Sequence, residues 1–204
     1  MKIKNLVDNT TSFLFKRLSE LIGLSTLCLS ILLLASLISY SPEDPNFIFP
    51  ENTEIKNLLG AKGSYASDIL YQSIGLISLL IPISFFFISL SIIIDKKILY
   101  IIESLFFIII YSIIGTLFFT VFHTETYWLT INGNNGFIGN LFEETSLINL
   151  INLNNTVSYI ILIILILLFF LLSINFKFRY FKSFIKFFSR TKKIPNRSSF
   201  FRCL

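Results

Sequence analysis

The chain has 204 residues, is 54% hydrophobic and only 14% charged, and carries a formal net charge of +5 with a mean hydropathy of +0.76. That balance excludes an ordinary water-soluble domain and points to an integral membrane protein of all-α class. Cys28 lies in an apolar run, Cys203 is penultimate, and there is one histidine, so neither a disulfide framework nor a Cys/His zinc set is expected and no cofactor is implied.

Residues 1–19 place Lys2, Lys4, Lys16 and Arg17 around Ile3, Leu6, Val7, Phe13, Leu14 and Phe15, the pattern of a basic amphipathic arm on a membrane surface. Residues 20–176 follow as a four-helix membrane domain. Its helices are predicted over 21–40, 69–94, 98–122 and 157–174, with long loops at 41–68 and 123–156. The first run is too long for a signal-peptide core and is expected to be a retained anchor.

It ends at Tyr40, Ser41, Pro42, Glu43, Asp44, Pro45, Asn46 and Phe47, because each proline lacks an N–H and forces the residue before it to be extended. The second helix is expected to start near Asn57. Gly60, Ser64, Ser67, Tyr71, Gly75, Ser78 and Pro82 recur at helical spacing, with Gly63 beside them, and make a face of small residues that another helix can approach closely. Ser25, Cys28, Ala35, Ser36 and Ser39 suggest a matching seam on the first helix, and Pro82 is a candidate kink. Asp95, Lys96 and Lys97 make a turn short enough to force the third helix antiparallel beside the second. The second long loop has an apolar patch over 136–142 suited to the membrane interface, and the fourth helix, lacking a small-residue seam, should face lipid over most of its circumference.

Lysine and arginine number four before the first helix, two in the short turn and nine after the last helix, against two in the first long loop and none in the second. This distribution predicts both termini in the cytoplasm and both long loops outside. The tail over 177–204 interleaves Lys177, Arg179, Lys182 and Lys186 with phenylalanines, which suits anionic lipid headgroups better than nucleic acid. Glu103 in the third helix is a candidate ion-path carboxylate, but its shallow depth beside Lys96 and Lys97 fits an interfacial side chain. His123 with Glu125 lacks a third ligand, and Tyr127 and Trp128 read as interfacial anchors. No phosphate-binding loop, nucleophile elbow or zinc-protease motif occurs, so no catalytic residue is assigned.

The exit from Ser39 through Ser-Pro-acid-acid-Pro, the re-entry Asn57-Leu58-Leu59-Gly60-Ala61-Lys62-Gly63, and the later Gly136-Phe137-Ile138-Gly139-Asn140-Leu141 together resemble the N-terminal four-helix membrane domain of the FtsK/SpoIIIE DNA translocases. The resemblance implies an inner-membrane protein of the bacterial division septum that anchors a hexameric, ATP-driven DNA motor. It also implies a homo-oligomer in contact with lipids and other division proteins, and with DNA only through a motor that these residues do not include. The expectation is therefore a non-enzymatic anchor whose motor is missing from the chain or encoded separately. A small transporter or channel subunit using Glu103 and a Pro82 kink is the alternative, and a lipid-binding scaffold acting through the basic tail is a third.

Overall fold

The computed structural model describes residues 2–45, 54–96, 98–123, 129, 131–146, 148, 151 and 155–175, with side chains from residue 10 onward. Among the described residues there are helices and no strand: α1 Lys2–Ile38, α2 Gly60–Ile74, a 3-10 segment Gly75–Leu79, α3 Leu80–Asp95, α4 Tyr100–Phe122, α5 Gly136–Glu143 and α6 Asn155–Ser173. Four stretches are long and apolar enough to cross a membrane: Thr10–Ile38, Gly60–Asp95, Tyr100–Phe122 and Asn155–Ser173. The chain is thus an all-α, multi-pass membrane protein.

The first helix is longer at its start and shorter at its end than the sequence suggests. It runs unbroken from Lys2, so the basic residues of the expected arm share one rod with the span. It stops at Ile38, where the Tyr40 N–H turns back to the Leu37 carbonyl and the Ser39 hydroxyl donates to Ala35 O at 2.7 Å. Pro42 and Pro45 then keep the chain out of helix.

The second stretch is not one rod. Ser30 Oγ donates to Pro82 O at 2.8 Å and Ser36 Oγ donates to Gly63 O at 2.6 Å. Along α1 those serines are about 9 Å apart, whereas Pro82 and Gly63 would be about 28 Å apart in a straight helix. α2 must therefore lie obliquely across the end of α1. The bend is at Gly75, whose φ of +70° is left-handed, and not at Pro82, which is the expected kink. Pro82 falls in the first turn of α3, where its fixed φ suits the start of a helix. With α2 set aside, the 3-10 segment and α3 together span about 34 Å, close to the hydrocarbon thickness.

α1 packs along α3 and α2, and α4 packs along α6. The seam of α1 differs from the expected one. Ser25 and Cys28 are exposed, Ala35 and Ser39 are half-buried and Ser36 is buried as expected, but the stripe that faces α3 is Ser19, Gly23, Thr26, Ser30, Leu33 and Leu37, a repeat of about 3.5 residues. A Cβ on Gly23 would sit 2.6 Å from Ile93 and 3.3 Å from Ser89 O, so α3 passes close here. Between the pairs, Ile77, Ile81, Ile88, Ile92, Ile108 and Tyr111 form one core. Ser84 Oγ joins Tyr111 OH at 3.1 Å and Ser173 Oγ at 3.0 Å, tying α3, α4 and α6. Lipid is as apolar as isoleucine, so this core is held by fit and by hydroxyl bonds worth about 0.6 kcal/mol each rather than by water exclusion. Along α6 only Leu162 and Ser173 are buried; the rest of that helix touches its neighbours through partly buried rings such as Phe169 and Phe170 or faces outward.

Candidate functional site: a polar cap at the loop end

The residues that stand out in the sequence of the first loop converge at one end of the bundle. Asp44 is 5% exposed and uses both oxygens: Lys56 N donates to Oδ1 and Asn57 N to Oδ2, each at 2.8 Å. The carboxylate closes the loop between residues 44 and 56. Asn57 in turn donates from Nδ2 to Ser36 O at 2.9 Å and accepts Leu59 N on Oδ1 at 3.1 Å, so one side chain caps α1 and turns the chain into α2. Ser39 Oγ accepts from Leu58 N at 3.0 Å, and Ser64 Oγ donates to Pro45 O at 2.9 Å.

The inward face of α2 carries the chemistry that the cap needs. Tyr40 OH donates to Asp68 Oδ1 at 3.1 Å, Gln72 Nε2 reaches both at 3.4 Å, and Tyr71 OH donates to Leu37 O at 3.1 Å. The Tyr40 and Tyr71 rings stand 4.9 Å apart and pack with Leu37 and Leu129. Burial, and then the Asp68 charge, push the Tyr40 phenol up to about 12, because both oppose a phenolate. At the exposed rim Lys56 Nζ pairs with Glu43, which lowers the carboxyl and raises the ammonium.

The second loop locks onto the bend. Leu76 N donates to Asn134 O at 2.9 Å, and Asn132 Nδ2 reaches Gln72 Oε1 at 3.0 Å. Gly75 and Gly136 meet backbone to backbone. A Cβ on Gly75 would lie 2.0 Å from Asn134 O, one on Gly136 would lie 2.5 Å from Gly75 N, and both glycines have positive φ. Asn135 Nδ2 donates to Thr120 Oγ1 at 3.2 Å and to Asn140 Oδ1 at 2.7 Å, fastening α5 to α4.

The structure separates the small residues that the sequence groups together. Ser64, Ser67, Gly75 and Ser78 are buried, and Gly63 is buried against Asn57, whose Oδ1 would be 2.2 Å from an added Cβ. Gly60 is no packing residue. Nothing lies within 4 Å of its Cβ position, and its φ of +65° serves the turn into α2. Of the loop motif, Tyr40, Asp44 and Pro45 are buried, Ser41 is half-buried and Pro42 is exposed. Phe47, Glu125, Tyr127, Trp128 and the basic residues Lys177, Arg179, Lys182 and Lys186 lie outside the described residues. Glu103 is exposed in the first turn of α4, and His123 is exposed with its ring 5.6 Å from that of Phe118. Asp68 is the residue that sequence reasoning missed. Counted with the first loop because its charge bounds the apolar run that begins at Ile69, it lies on the α2 face of Ser64 and Tyr71, one turn on from Ser64, and that spacing is the available signal.

In this cap both buried carboxylates are occupied by donors. No nucleophile stands beside a base, and no group of three His, Cys, Asp or Glu side chains is placed to hold a metal among the described residues. The arrangement shapes and stiffens a surface. Four spanning helices whose long loops are welded into one hydrogen-bonded cap define a polytopic membrane domain. The family described as the 4TM region of DNA translocase FtsK/SpoIIIE matches residues 15–187, and the chain belongs to that family. A protein of Rickettsia bellii named DNA translocase FtsK is 41% identical over 66 residues, covering 32% of this chain. Proteins of the same name from Rickettsia typhi and Rickettsia prowazekii are each 44% identical over 50 residues, covering 24% of the chain. These matched stretches span only 8%, 7% and 7% of the relatives' own lengths. No solved structure matches.

Proposed function

We propose that this chain is the membrane anchor and interaction domain of an FtsK-type DNA translocase, acting in bacterial cell division and chromosome segregation. The carrying observation is the family match over residues 15–187, which takes in the first spanning stretch from residue 15, the other three whole, and the whole cap. In this reading both termini are cytoplasmic and the cap faces the periplasm of the inner membrane, as the lysine and arginine distribution favours. The domain self-associates, meets other division proteins through the rigid cap, and reaches DNA only through a motor that these 204 residues do not encode. The tail residues Lys177, Arg179, Lys182 and Lys186 rest on anionic lipid.

Localisation tests it. A fluorescent fusion of the full chain should concentrate at the septum of dividing cells, and Gly75→Leu, which breaks the cap, should disperse it around the membrane at unchanged level. Uniform membrane fluorescence of the unaltered chain would sink the reading. Glu103→Gln is expected to leave localisation unchanged.

A further inference from the structure

α5 has two unlike faces. Gly136 and Gly139 are buried, while Phe137 and Leu141, one turn apart, are 55% and 58% exposed. The depth of this helix is set by its partners. Asn135 bonds Thr120, in the last turn of the spanning helix α4, and a Cβ on Gly139 would lie 2.7 Å from the same hydroxyl. Gly136 abuts Ile74 and Gly75, where the membrane-crossing part of the second stretch begins. α5 therefore lies alongside the ends of two spanning helices and not beyond them. Its outward face is level with the ends of those spanning helices.

A second apolar corner sits at the same level. Leu58 is 75% exposed and Leu59 37%, and Leu58 N is held by Ser39 Oγ, one residue past the end of α1. Glu143 and Glu144 are exposed just after the apolar turn of α5 and limit how deep that helix can sit. We propose that α5, through Phe137 and Leu141, and the Leu58 and Leu59 corner are sunk into the headgroup and upper acyl region of the bilayer, so that lipid holds the cap at two points. The occupant is lipid in either leaflet orientation, so the inference rests on the four spans and not on the translocase reading.

Trp128 is the single tryptophan, so Trp128→Phe provides a silent background. The full chain carrying Phe137→Trp, Leu141→Trp or Leu58→Trp is placed in phosphatidylcholine and phosphatidylglycerol vesicles whose acyl chains are brominated near the headgroup or near the methyl end. Bromines near the headgroup should cut emission by about twofold or more, methyl-end bromines less, and aqueous iodide little. Quenching by iodide alone would place the face in water and overturn the proposal. Quenching by neither agent would place it against protein, and crosslinking between two copies would then identify a second chain as the cover. If Phe137→Trp fails to insert, Leu141→Trp reads the same face.

Discussion

The two ends of the bundle are built differently. At the loop end, buried carboxylates, amides and hydroxyls from α1, α2, α5 and both loops satisfy one another, and two glycines interlock where no other residue fits. At the opposite end the links among the described residues include exposed ion pairs: Glu20 bridges Arg17 and Lys96 at 2.7 Å each on a largely exposed surface, Ser19 Oγ reaches Lys96 O at 3.3 Å, and Asn175 Nδ2 donates to Ser104 Oγ at 3.0 Å. Within the bilayer, contacts between helices gain little over contacts with lipid. Desolvation costs the cap's polar groups, their mutual hydrogen bonds offset that cost, and so the cap loses heavily when a partner is removed. It is therefore the part of the molecule that fixes a single arrangement.

Breaking the comparison should be easiest at the bend. Gly75→Ala puts a methyl group 2.0 Å from a backbone oxygen at a left-handed φ, and is expected to cost about 3 kcal/mol or more, read as a lower midpoint of unfolding in detergent. Gly60→Ala, with the same sign of φ but open space around it, should lose only about 1 kcal/mol, and a loss equal to that at Gly75 would show that strain and not the loop contact matters. Next in size is Asp44→Ala. It leaves the N–H groups of Lys56 and Asn57 without their acceptor, an expected loss of about 3 kcal/mol, and proteolysis between residues 45 and 55 should accelerate.

Smaller again is a pH effect. The Tyr40 phenol is raised from 10 to about 12, so its contribution is fully present below pH 10 and is lost as pH rises to 12, where the unfolded chain releases the proton first. Tyr40→Phe should make the fall in melting temperature over that window shallower; an identical slope would place the titration elsewhere. The smallest effects belong to exposed pairs. Glu43→Gln and Glu20→Gln should leave melting unchanged at physiological salt, and a clear drop for either would show that the end opposite the cap, or the rim of the cap, contributes more than its exposure allows.

Much of this architecture is legible in the sequence because apolar runs and proline exits are local signals. The four spans follow from length, the exit from helix close before Pro42 from the missing N–H of proline, and the burial of Gly63, Ser64, Ser67, Gly75 and Ser78 in the second stretch from their spacing, although α1 stops two residues before the expected end and Gly60 does not pack. The bend is not legible, because the φ of Gly75 is imposed by Asn134, which lies 59 positions further along the chain. Pro82 drew the kink in a reading by residue type, yet a proline in a first turn bends nothing. The seam of α1 was misread for a related reason. Small residues occur on several faces of that helix, and only the position of α3 selects Ser19, Gly23 and Ser30 over Ser25 and Cys28.

Asp44 has one further consequence. By holding residues 56 and 57 against residue 44 it fixes both ends of the intervening chain independently of what that chain contains. For a closed loop, doubling the length adds only about 0.6 kcal/mol of closure entropy. An epitope or a labelling cysteine spliced between residues 46 and 53 would therefore be carried as a tethered flag on an undisturbed bundle. Its reactivity toward an impermeant reagent would report which side of the membrane the cap faces.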